Sequence, residues 1–180
     1  MTVDYNKIVD DIIDVEGGYV DHPNDKGGET NFGITKLVAR ARGYEGPMKD
    51  MPRAFAETIY MSSYIYKPNF DKVCNLDPAI GEMIIDYGVN CGTYTASKAL
   101  QRALNLFNRQ EHYYGDLIVD GVIGQATLQA MREYLDIRKM AGRKVLLDTI
   151  RCIRGMHYIK IAENDLTQES HIFGWIKNRI

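Results

Sequence analysis

Two carboxylates and a threonine near the N-terminus have the types and the spacing of a site that cleaves glycosidic bonds. Asp25 lies nine positions after Glu16, and Thr30 lies five positions after Asp25. A glycosidase places two carboxyl groups at the scissile bond, one that protonates the leaving oxygen and one that acts as nucleophile or activates water. We therefore expect Glu16 to be the general acid, Asp25 to be its partner, and Thr30 to orient the water molecule.

The position of Glu16 at the end of a predicted helix favours the role of an acid. Glycines such as Gly17 and Gly18 commonly end helices, and this places the Glu16 carboxyl at the negative end of the helix dipole. With Tyr19 or other aromatic groups beside it, the charged form is disfavoured, so the pKa of Glu16 is expected to rise. The same residues also fit an ordinary solvated glutamate, because most carboxylates are exposed.

The partner of Glu16 has alternatives in the same loop. Asp21 and Glu29 are also carboxylates, and two adjacent glycines after Asp25 can turn the chain so that the segment folds back over the helix end. An aspartate at such a position can instead bond to its own backbone in a turn. Asp25 is the preferred partner, and Asp21 and Glu29 are kept as alternatives.

Residues 16–35, with the sequence EGGYVDHPNDKGGETNFGIT, resemble the signature of glycoside hydrolase family 108. The resemblance implies a cell-wall enzyme of the phage-endolysin type, an N-acetylmuramidase that cleaves the β-1,4 bond after N-acetylmuramic acid in peptidoglycan. It also implies that Glu16 is catalytic. The order of glutamate, aspartate and threonine is similar to the triad of phage-type lysozymes, but the gap between Asp25 and Thr30 is one residue shorter, which leaves the role of Thr30 open.

Aromatic side chains are further candidates for substrate binding. Tyr19, Tyr60 and Tyr64 could each pack against a sugar ring, although aromatic residues at helical spacing usually belong to the core. Near the C-terminus, residues 173–179 resemble the tail of the same family. We expect Trp175 in this tail to be an anchor in the core rather than a platform for a sugar.

A polar pair in the middle of the chain could also contact substrate. Asp77 followed by proline predicts the start of a helix that runs to about Cys91, and Asp86 and Asn90 share one face of it. Residues 86–92 resemble a D-x-x-x-N-x-G stretch of the family, which implies a substrate contact. The alternative is a buried pair that braces the structure.

Two weaker motifs in the second half resemble a predicted peptidoglycan-binding region that completes the family. They are residues 100–104, with the pattern LQxxL, and residues 120–127, with the pattern DGxxGxxT. An Asp-Gly pair is typical of a turn, and Thr127 would then lie in the first turns of a helix. We expect a structural role at a helix entry rather than a separate carbohydrate site.

The apolar periodicity predicts helices along most of the chain, and only the stretch between Gly17 and Gly33 is dense in turn-forming residues. We predict a mainly α, lysozyme-like two-lobed fold with an irregular glycine-rich active-site loop that could include a short hairpin. The expected lobes are a catalytic muramidase lobe at residues 1–92 and a helical peptidoglycan-binding lobe at residues 93–180, packed together with the glycan in the groove between them. Apart from the first helix, which ends at Gly17, the predicted helices are residues 34–42, 53–66, 77–91, 96–107, 127–134 and 137–162.

Composition argues against several other classes of protein. The net charge of −2 does not fit a nucleic-acid binder. Three widely spaced cysteines do not form a disulfide framework, and four dispersed histidines without HExxH disfavour a zinc amidase or peptidase. We expect three buried free thiols, no metal and no cofactor.

The location of the protein is expected to follow from its N-terminus. The first residues lack the pattern of a signal peptide, and no apolar run reaches the roughly 20 residues of a membrane span. We therefore expect a protein that is made in the bacterial cytoplasm and has no integral membrane association. We also expect it to be a monomer. The family resemblance implies that it acts in the periplasm on the cell wall, after holin-assisted release.

Two other functions are kept beside the muramidase. A lytic transglycosylase cuts the same bond with a single glutamate and leaves an anhydro sugar, and the plausible second carboxylate at Asp25 counts against it. An inactive peptidoglycan-binding or secretion-accessory protein is the alternative outside the enzymes, and Glu16 counts against that one.

Overall fold

The computed structural model describes residues 3–21 and 28–180, and the chain divides into two compact units, one ending at Lys67 and the other beginning at Pro68. In the described residues 71% of the protein is helical and the strands form one small two-stranded sheet, so the mainly α class is confirmed, as is the short hairpin. The expected division into functional lobes at residues 92 and 93 stays a prediction.

The N-terminal unit holds three helices and the hairpin. Its elements are α1 (Tyr5–Glu16), β1 (Thr30–Asn31), β2 (Ile34–Thr35), α2 (Lys36–Ala41), a 3-10 turn (Met48–Asp50), α3 (Arg53–Tyr60) and a π-helical turn (Met61–Tyr66). The predicted helix at residues 34–42 begins later, at Lys36, because Ile34 and Thr35 pair with β1 and the Thr35 hydroxyl caps α2 by accepting from the Val38 N–H.

Helix α1 is held in place on two sides. Val9 and Ile13 are buried in the core of the unit, as the spacing of apolar residues predicts. On the other side, the Arg53 guanidinium at the start of α3 contacts the carboxylates of Asp10 and Asp14 at 2.8 and 2.7 Å. These two carboxylates raise the pKa of Arg53 further above its ordinary value. The core and this ion-pair cluster together fix the axis of the helix that ends at Glu16.

The helix predicted for residues 53–66 changes its hydrogen-bond pattern partway. After Tyr60 the backbone widens into a π-helical turn, and the Lys67 N–H donates to the Ser62 carbonyl five residues earlier, at 2.9 Å. Arg42 donates to the hydroxyls of Ser62 and Ser63 from outside this turn. Widened turns of this kind are frequent at functional sites.

The C-terminal unit is helical throughout its regular structure. Its elements are α4 (Phe70–Leu76), α5 (Pro78–Cys91), α6 (Thr93–Asn105), α7 (Gln125–Asn164), a 3-10 turn (Leu166–Gln168) and α8 (Glu169–Arg179). The start predicted for α5 is confirmed, because the Asp77 carboxylate accepts from the Ile80 N–H at 3.0 Å and proline occupies the first helical position. Helix α4 crosses α5 at Gly81, where a Cβ atom would lie only 2.3 Å from the Cys74 sulfur.

Helix α7 contains a break at Lys139, whose φ of 53° and ψ of −145° are not helical. The sequence predicts two helices here, residues 127–134 and 137–162, but the break at Lys139 lies inside the second of them rather than between the two. The Tyr134 hydroxyl spans it by donating to the Gly142 carbonyl at 2.8 Å. The two segments therefore hold a defined angle in spite of the interrupted backbone.

The three cysteines are free, and their burial differs from the prediction. Cys74 is buried and Cys91 is half-buried, but Cys152 is exposed, so the expectation of three buried thiols is wrong. The buried stripe of α7 runs through Leu146, Ile150 and Arg154 at four-residue spacing, and Cys152 falls between two of its members. No helix in the described ranges is long and apolar enough to cross a membrane.

Candidate active site

Glu16 is the last residue of α1. Gly17, with a φ of 82°, leaves the helical conformation, and its N–H donates to the Ile13 carbonyl at 3.3 Å. Helix termination at these glycines is confirmed, and the backbone places Glu16 beside the unpaired carbonyls of the helix end, where a negative charge is disfavoured. The side chain of Glu16 lies outside the described residues, so the expected rise of its pKa stays a prediction.

The glycine-rich loop is closed at its base. The Val20 N–H donates to the Thr30 carbonyl and the Thr30 N–H donates to the Val20 carbonyl, each at 2.9 Å. The loop therefore leaves and returns at one point, four residues after Glu16. Thr30 is half-buried in this pairing. Asp25 belongs to residues 22–27, which lie outside the described residues, and its role stays a prediction.

The hairpin that follows the loop is tied to the core. Phe32 and Gly33 both have positive φ, 52° and 71°, as the two central residues of a type I′ turn require. The buried Tyr60 hydroxyl donates to the Phe32 carbonyl at 3.0 Å, and the buried Asn31 amide donates to the Met48 carbonyl at 2.7 Å. These bonds fix the turn and thereby the strand that closes the loop.

A carboxylate cluster lies at the base of the same loop. The Tyr19 hydroxyl donates to the Glu29 carboxylate at 3.0 Å, and the Lys36 ammonium contacts the other oxygen of Glu29 at 2.8 Å. Both partners favour the charged form, so the hydrogen bond from Lys36 and then that from Tyr19 lower the pKa of Glu29. The bond to Glu29 raises the pKa of Tyr19 to about 12. Glu29 therefore stays an anion to a lower pH than an ordinary glutamate does.

The two described alternatives for the second carboxylate differ in their surroundings. Glu29 has the two partners given above, whereas Asp21 is exposed and its carboxylate lies 3.5 Å from the Tyr19 hydroxyl. A carboxylate held ionised suits the stabilisation of a cationic transition state. Sequence reasoning kept Glu29 as an alternative but did not predict its bonds to Tyr19 and Lys36.

The predicted aromatic contacts lie in different settings. Tyr60 is buried, and its ring stacks against that of Tyr64 with 5.6 Å between centroids. Tyr64 is half-buried on the π-helical turn, and Tyr19 is 42% exposed. Tyr60 therefore supports the hairpin, and Tyr19 and Tyr64 retain surface that a ligand could reach. Sugar binding by these tyrosines stays a prediction.

Asp86 and Asn90 lie in the C-terminal unit and are bonded to one another, and Asp86 also pairs with two arginines. Asp86 accepts from Arg154 at 2.6 Å through one carboxylate oxygen and from Arg179 at 2.7 Å through the other. The Asn90 amide donates to the Asp86 carbonyl at 2.8 Å. Asp86 thus braces three helices, but it is half-buried and Asn90 is exposed, so the two are not the buried pair considered as the alternative. A contact of either residue with substrate stays a prediction.

Arg154 is a candidate functional residue that was not predicted from the sequence. Its side chain is only 1% exposed, and its guanidinium lies over the rings of Tyr87 and Tyr158. The signal was available, because a buried arginine on the apolar stripe of α7 requires an anionic partner. The identity of that partner, Asp86 on α5, depends on helix packing and is not visible in the sequence.

The two motifs of the second half bind each other. The Gln101 amide of the first motif donates to the Asp120 carboxylate of the second at 2.8 Å, and its amide oxygen accepts from the Gly121 N–H at 2.8 Å. Gly121 has a φ of 76°, and a Cβ atom there would lie 2.3 Å from the Tyr94 ring. The motifs hold the loop that leads into α7, which confirms the structural role expected for them.

Among residues 3–21 and 28–180, no cluster of three His, Cys, Asp or Glu side chains is arranged for a metal ion.

Comparison with known proteins accounts for nearly the whole chain. Residues 9–92 match the family model described as Glycosyl hydrolase 108, and residues 95–180 match the one described as Predicted Peptidoglycan domain. Among solved structures the chain is similar to SagA of Brucella abortus, with 25% identity, a TM-score of 0.59, and coverage of 97% of this chain and 96% of that chain. The comparison with curated proteins gives no match. Residues 9–92 therefore belong to glycosyl hydrolase family 108, and residues 95–180 belong to the predicted peptidoglycan domain family.

Proposed function

We propose that the protein is an endolysin-type N-acetylmuramidase, a lysozyme that hydrolyses the β-1,4 bond between N-acetylmuramic acid and N-acetylglucosamine in bacterial peptidoglycan. One observation carries the proposal: Glu16 lies inside the glycosyl hydrolase 108 segment, at the end of α1, immediately before a loop that is closed at its base by Val20 and Thr30. The peptidoglycan domain at residues 95–180 supports peptidoglycan as the polymer that is bound.

In the proposed mechanism, Glu16 transfers its proton to the glycosidic oxygen as the bond from that oxygen to the anomeric carbon breaks. Asp25 stabilises the oxocarbenium-like transition state or removes a proton from the water that adds to the anomeric carbon, and Thr30 orients that water. Helix-end placement favours the protonated form of Glu16. The distance between the two carboxyl groups decides between retention and inversion of configuration.

Mass analysis of the released fragments tests this reaction. Purified peptidoglycan sacculi treated with the protein are expected to release muropeptides that end in a reducing N-acetylmuramic acid, because water adds to the anomeric carbon. Fragments lighter by one water molecule would show the anhydro product of a lytic transglycosylase. Absence of soluble fragments would leave a protein that binds peptidoglycan without cutting it, and would contradict the proposal.

The biological setting forms part of the same proposal. A protein with this activity acts where peptidoglycan lies, in the periplasm, after synthesis in the cytoplasm and holin-assisted release. We expect the purified monomer to clear Gram-negative cells whose outer membrane has been permeabilised. If the turbidity of the cells stays constant while isolated sacculi are digested, the enzymatic proposal stands and the bacteriolytic role is rejected.

A further inference from the structure

The C-terminal unit contains a cavity of about 420 Å³ with the side chains of a sugar-binding site. Helix α5 contributes Asn90, and helix α8 contributes Ser170, His171, Trp175 and other polar side chains. Sugars are recognised by an aromatic ring against their C–H face together with planar and hydroxyl hydrogen-bonding groups, and both kinds of group line this cavity. The volume lies in the range of small-molecule sites.

Trp175 is half-buried and lies outside the buried core, so the expectation of a core anchor is wrong. Its ring packs on Tyr158 of α7 and on His171, with centroids at 5.4 and 5.8 Å. The ring is half-buried, so part of it is exposed in the cavity that it lines. The packing on α7 fixes its orientation, as a binding surface requires. At the neighbouring Gly174 a Cβ atom would meet no atom within 4 Å, so the wall is open there.

A second cavity, of about 430 Å³, adjoins the first and has a different lining. Its lining includes two carboxylates, Glu82 and Asp86, and four cationic side chains, Arg151, Arg154, Lys177 and Arg179. Arg151 is also paired with Asp148 at 2.9 Å, so one positive charge remains in excess, and this favours an anionic ligand.

Two of the cations in the second cavity can accept a further anion. One terminal nitrogen of Arg154 is buried and has no hydrogen-bond partner within the described part of the chain, which is costly for a charged donor. The exposed Lys177 forms no ion pair among the described residues. Both groups therefore have donors that a carboxylate would satisfy.

The two cavities share the side chains of Asn178 and Arg179. A ligand that fills both would carry an amino sugar at one end and carboxylates at the other. Peptidoglycan has this composition, since each N-acetylmuramic acid bears a short peptide with free carboxylates.

We propose that the C-terminal unit binds a muropeptide, with a sugar against Trp175 and a peptide carboxylate beside Lys177 and Arg154. The inference rests on the proposed function for its choice of polymer.

Trp175 reports on this site directly, because it is the single tryptophan of the chain. The full protein is titrated with a disaccharide of N-acetylglucosamine and N-acetylmuramic acid that carries its tetrapeptide, and with the same bare disaccharide, without the peptide and with its lactyl carboxyl amidated so that it has no charge. Neither contains the bond that a muramidase cuts. We expect a saturable change in tryptophan emission with both, at least about fivefold tighter for the peptide-bearing ligand because of its charge.

Charge variants locate the peptide end. Lys177→Glu is expected to remove the advantage of the peptide-bearing ligand and to leave the binding of the bare disaccharide unchanged. Lys160→Glu reverses the charge of an exposed lysine on α7 that lines neither cavity, and it is expected to change neither affinity. Asn178→Ala, in the wall that both cavities share, is expected to weaken both ligands.

Several results would overturn the inference. One is a tryptophan emission that does not change when the peptide-bearing ligand is added, and another is equal affinity of the protein for the two ligands. A third is an equal loss of affinity for the peptide-bearing ligand in Lys177→Glu and Lys160→Glu. Release of reducing muropeptides from sacculi without any tryptophan response would reject this site and leave the proposed hydrolase standing. A tryptophan response without fragment release would support the site and reject the hydrolase.

Discussion

At the scale of single residues, the chemistry depends on how neighbouring groups set the charge of each carboxylate. Glu29 is held ionised by Lys36 and Tyr19, whereas we expect the end of α1 to disfavour a charge on Glu16. Two carboxyl groups with opposite preferences are what a glycosidase requires, one as acid and one as anion. The anion of the reaction is expected to be Asp25, with Glu29 as a supporting charge.

A panel of isosteric variants assigns the second carboxylate. Asp25→Asn is expected to lower kcat by about 100-fold, the usual contribution of a catalytic acid or base, because the transition state loses its anion. Asp21→Asn is expected to change it little. Glu29→Gln and Lys36→Met each break the same ion pair, so they should cause equal and smaller losses. Steady-state release of reducing sugar measures all four, and a larger loss in Glu29→Gln than in Asp25→Asn would reassign the role to Glu29.

The sequence allowed the end of α1 at Glu16 to be predicted, but not the contacts of Glu29. Glu16 could be placed because glycines mark the helix end locally. The bonds of Tyr19 and Lys36 to Glu29 join residues that are ten and seven positions apart through a hairpin. Such bonds depend on the turn geometry, which residue types alone do not determine.

At the scale of elements, the hairpin connects the loop to the helices around it. Glu29 precedes β1 and Lys36 is the first residue of α2, so their ion pair closes the hairpin from outside. Two-residue strands are too short to show the alternation of apolar and polar residues by which strands are predicted. The sequence therefore indicated only that the loop could include a hairpin, and Ile34 and Thr35 were predicted to be helical.

This ion pair makes the stability of the hairpin depend on pH. The pKa of Glu29 in the folded protein lies below its ordinary value of 4.5. Its stabilisation is therefore present above the ordinary carboxyl pKa and is lost as the pH falls through the lowered value in the folded state. Wild type is expected to melt at a higher temperature than Glu29→Gln at pH 6, and the difference should shrink as the pH falls below 4.5.

Thermal unfolding measured from pH 6 to pH 3 checks this expectation. Glu45→Gln is the matched control, since Glu45 is an exposed glutamate of the same unit without a hydrogen bond among the described residues. A difference between wild type and Glu29→Gln that is constant across this range would contradict the assigned role of the pair.

At the scale of the whole molecule, each compact unit has its own polar brace. Arg53 ties α3 to α1 in the unit that ends at Lys67, and Asp86 ties α5 to α7 and α8 in the unit that begins at Pro68. The class and the positions of most helices could be predicted from apolar periodicity, but the short helix α4 and the C-terminal helix α8 were not predicted. The braces could not be predicted, because Asp86 lies 68 residues from Arg154 and 93 residues from Arg179.

Removal of the second brace is expected to weaken the C-terminal unit. Asp86→Ala leaves the Arg154 charge buried without its anion and should lower the free energy of unfolding by about 2 to 3 kcal/mol, less than for a fully buried pair because Asp86 is 42% exposed. Urea unfolding measures the loss, and hydrogen exchange should show faster opening of α7 and α8. Glu82→Ala, one turn earlier on α5 and exposed, is the control. Unchanged stability with weaker binding of peptidoglycan would instead make Asp86 a substrate contact.

The most direct test of the account is the rate at which Glu16→Gln releases reducing muropeptides from purified sacculi. Glutamine keeps the size and the hydrogen-bonding capacity of the side chain but has no proton to donate to the leaving oxygen. We predict normal folding and a loss of at least about 100-fold in rate, with full activity in Glu45→Gln as the control. A Glu16→Gln protein that is folded and retains full activity would contradict the assignment of Glu16 as the general acid.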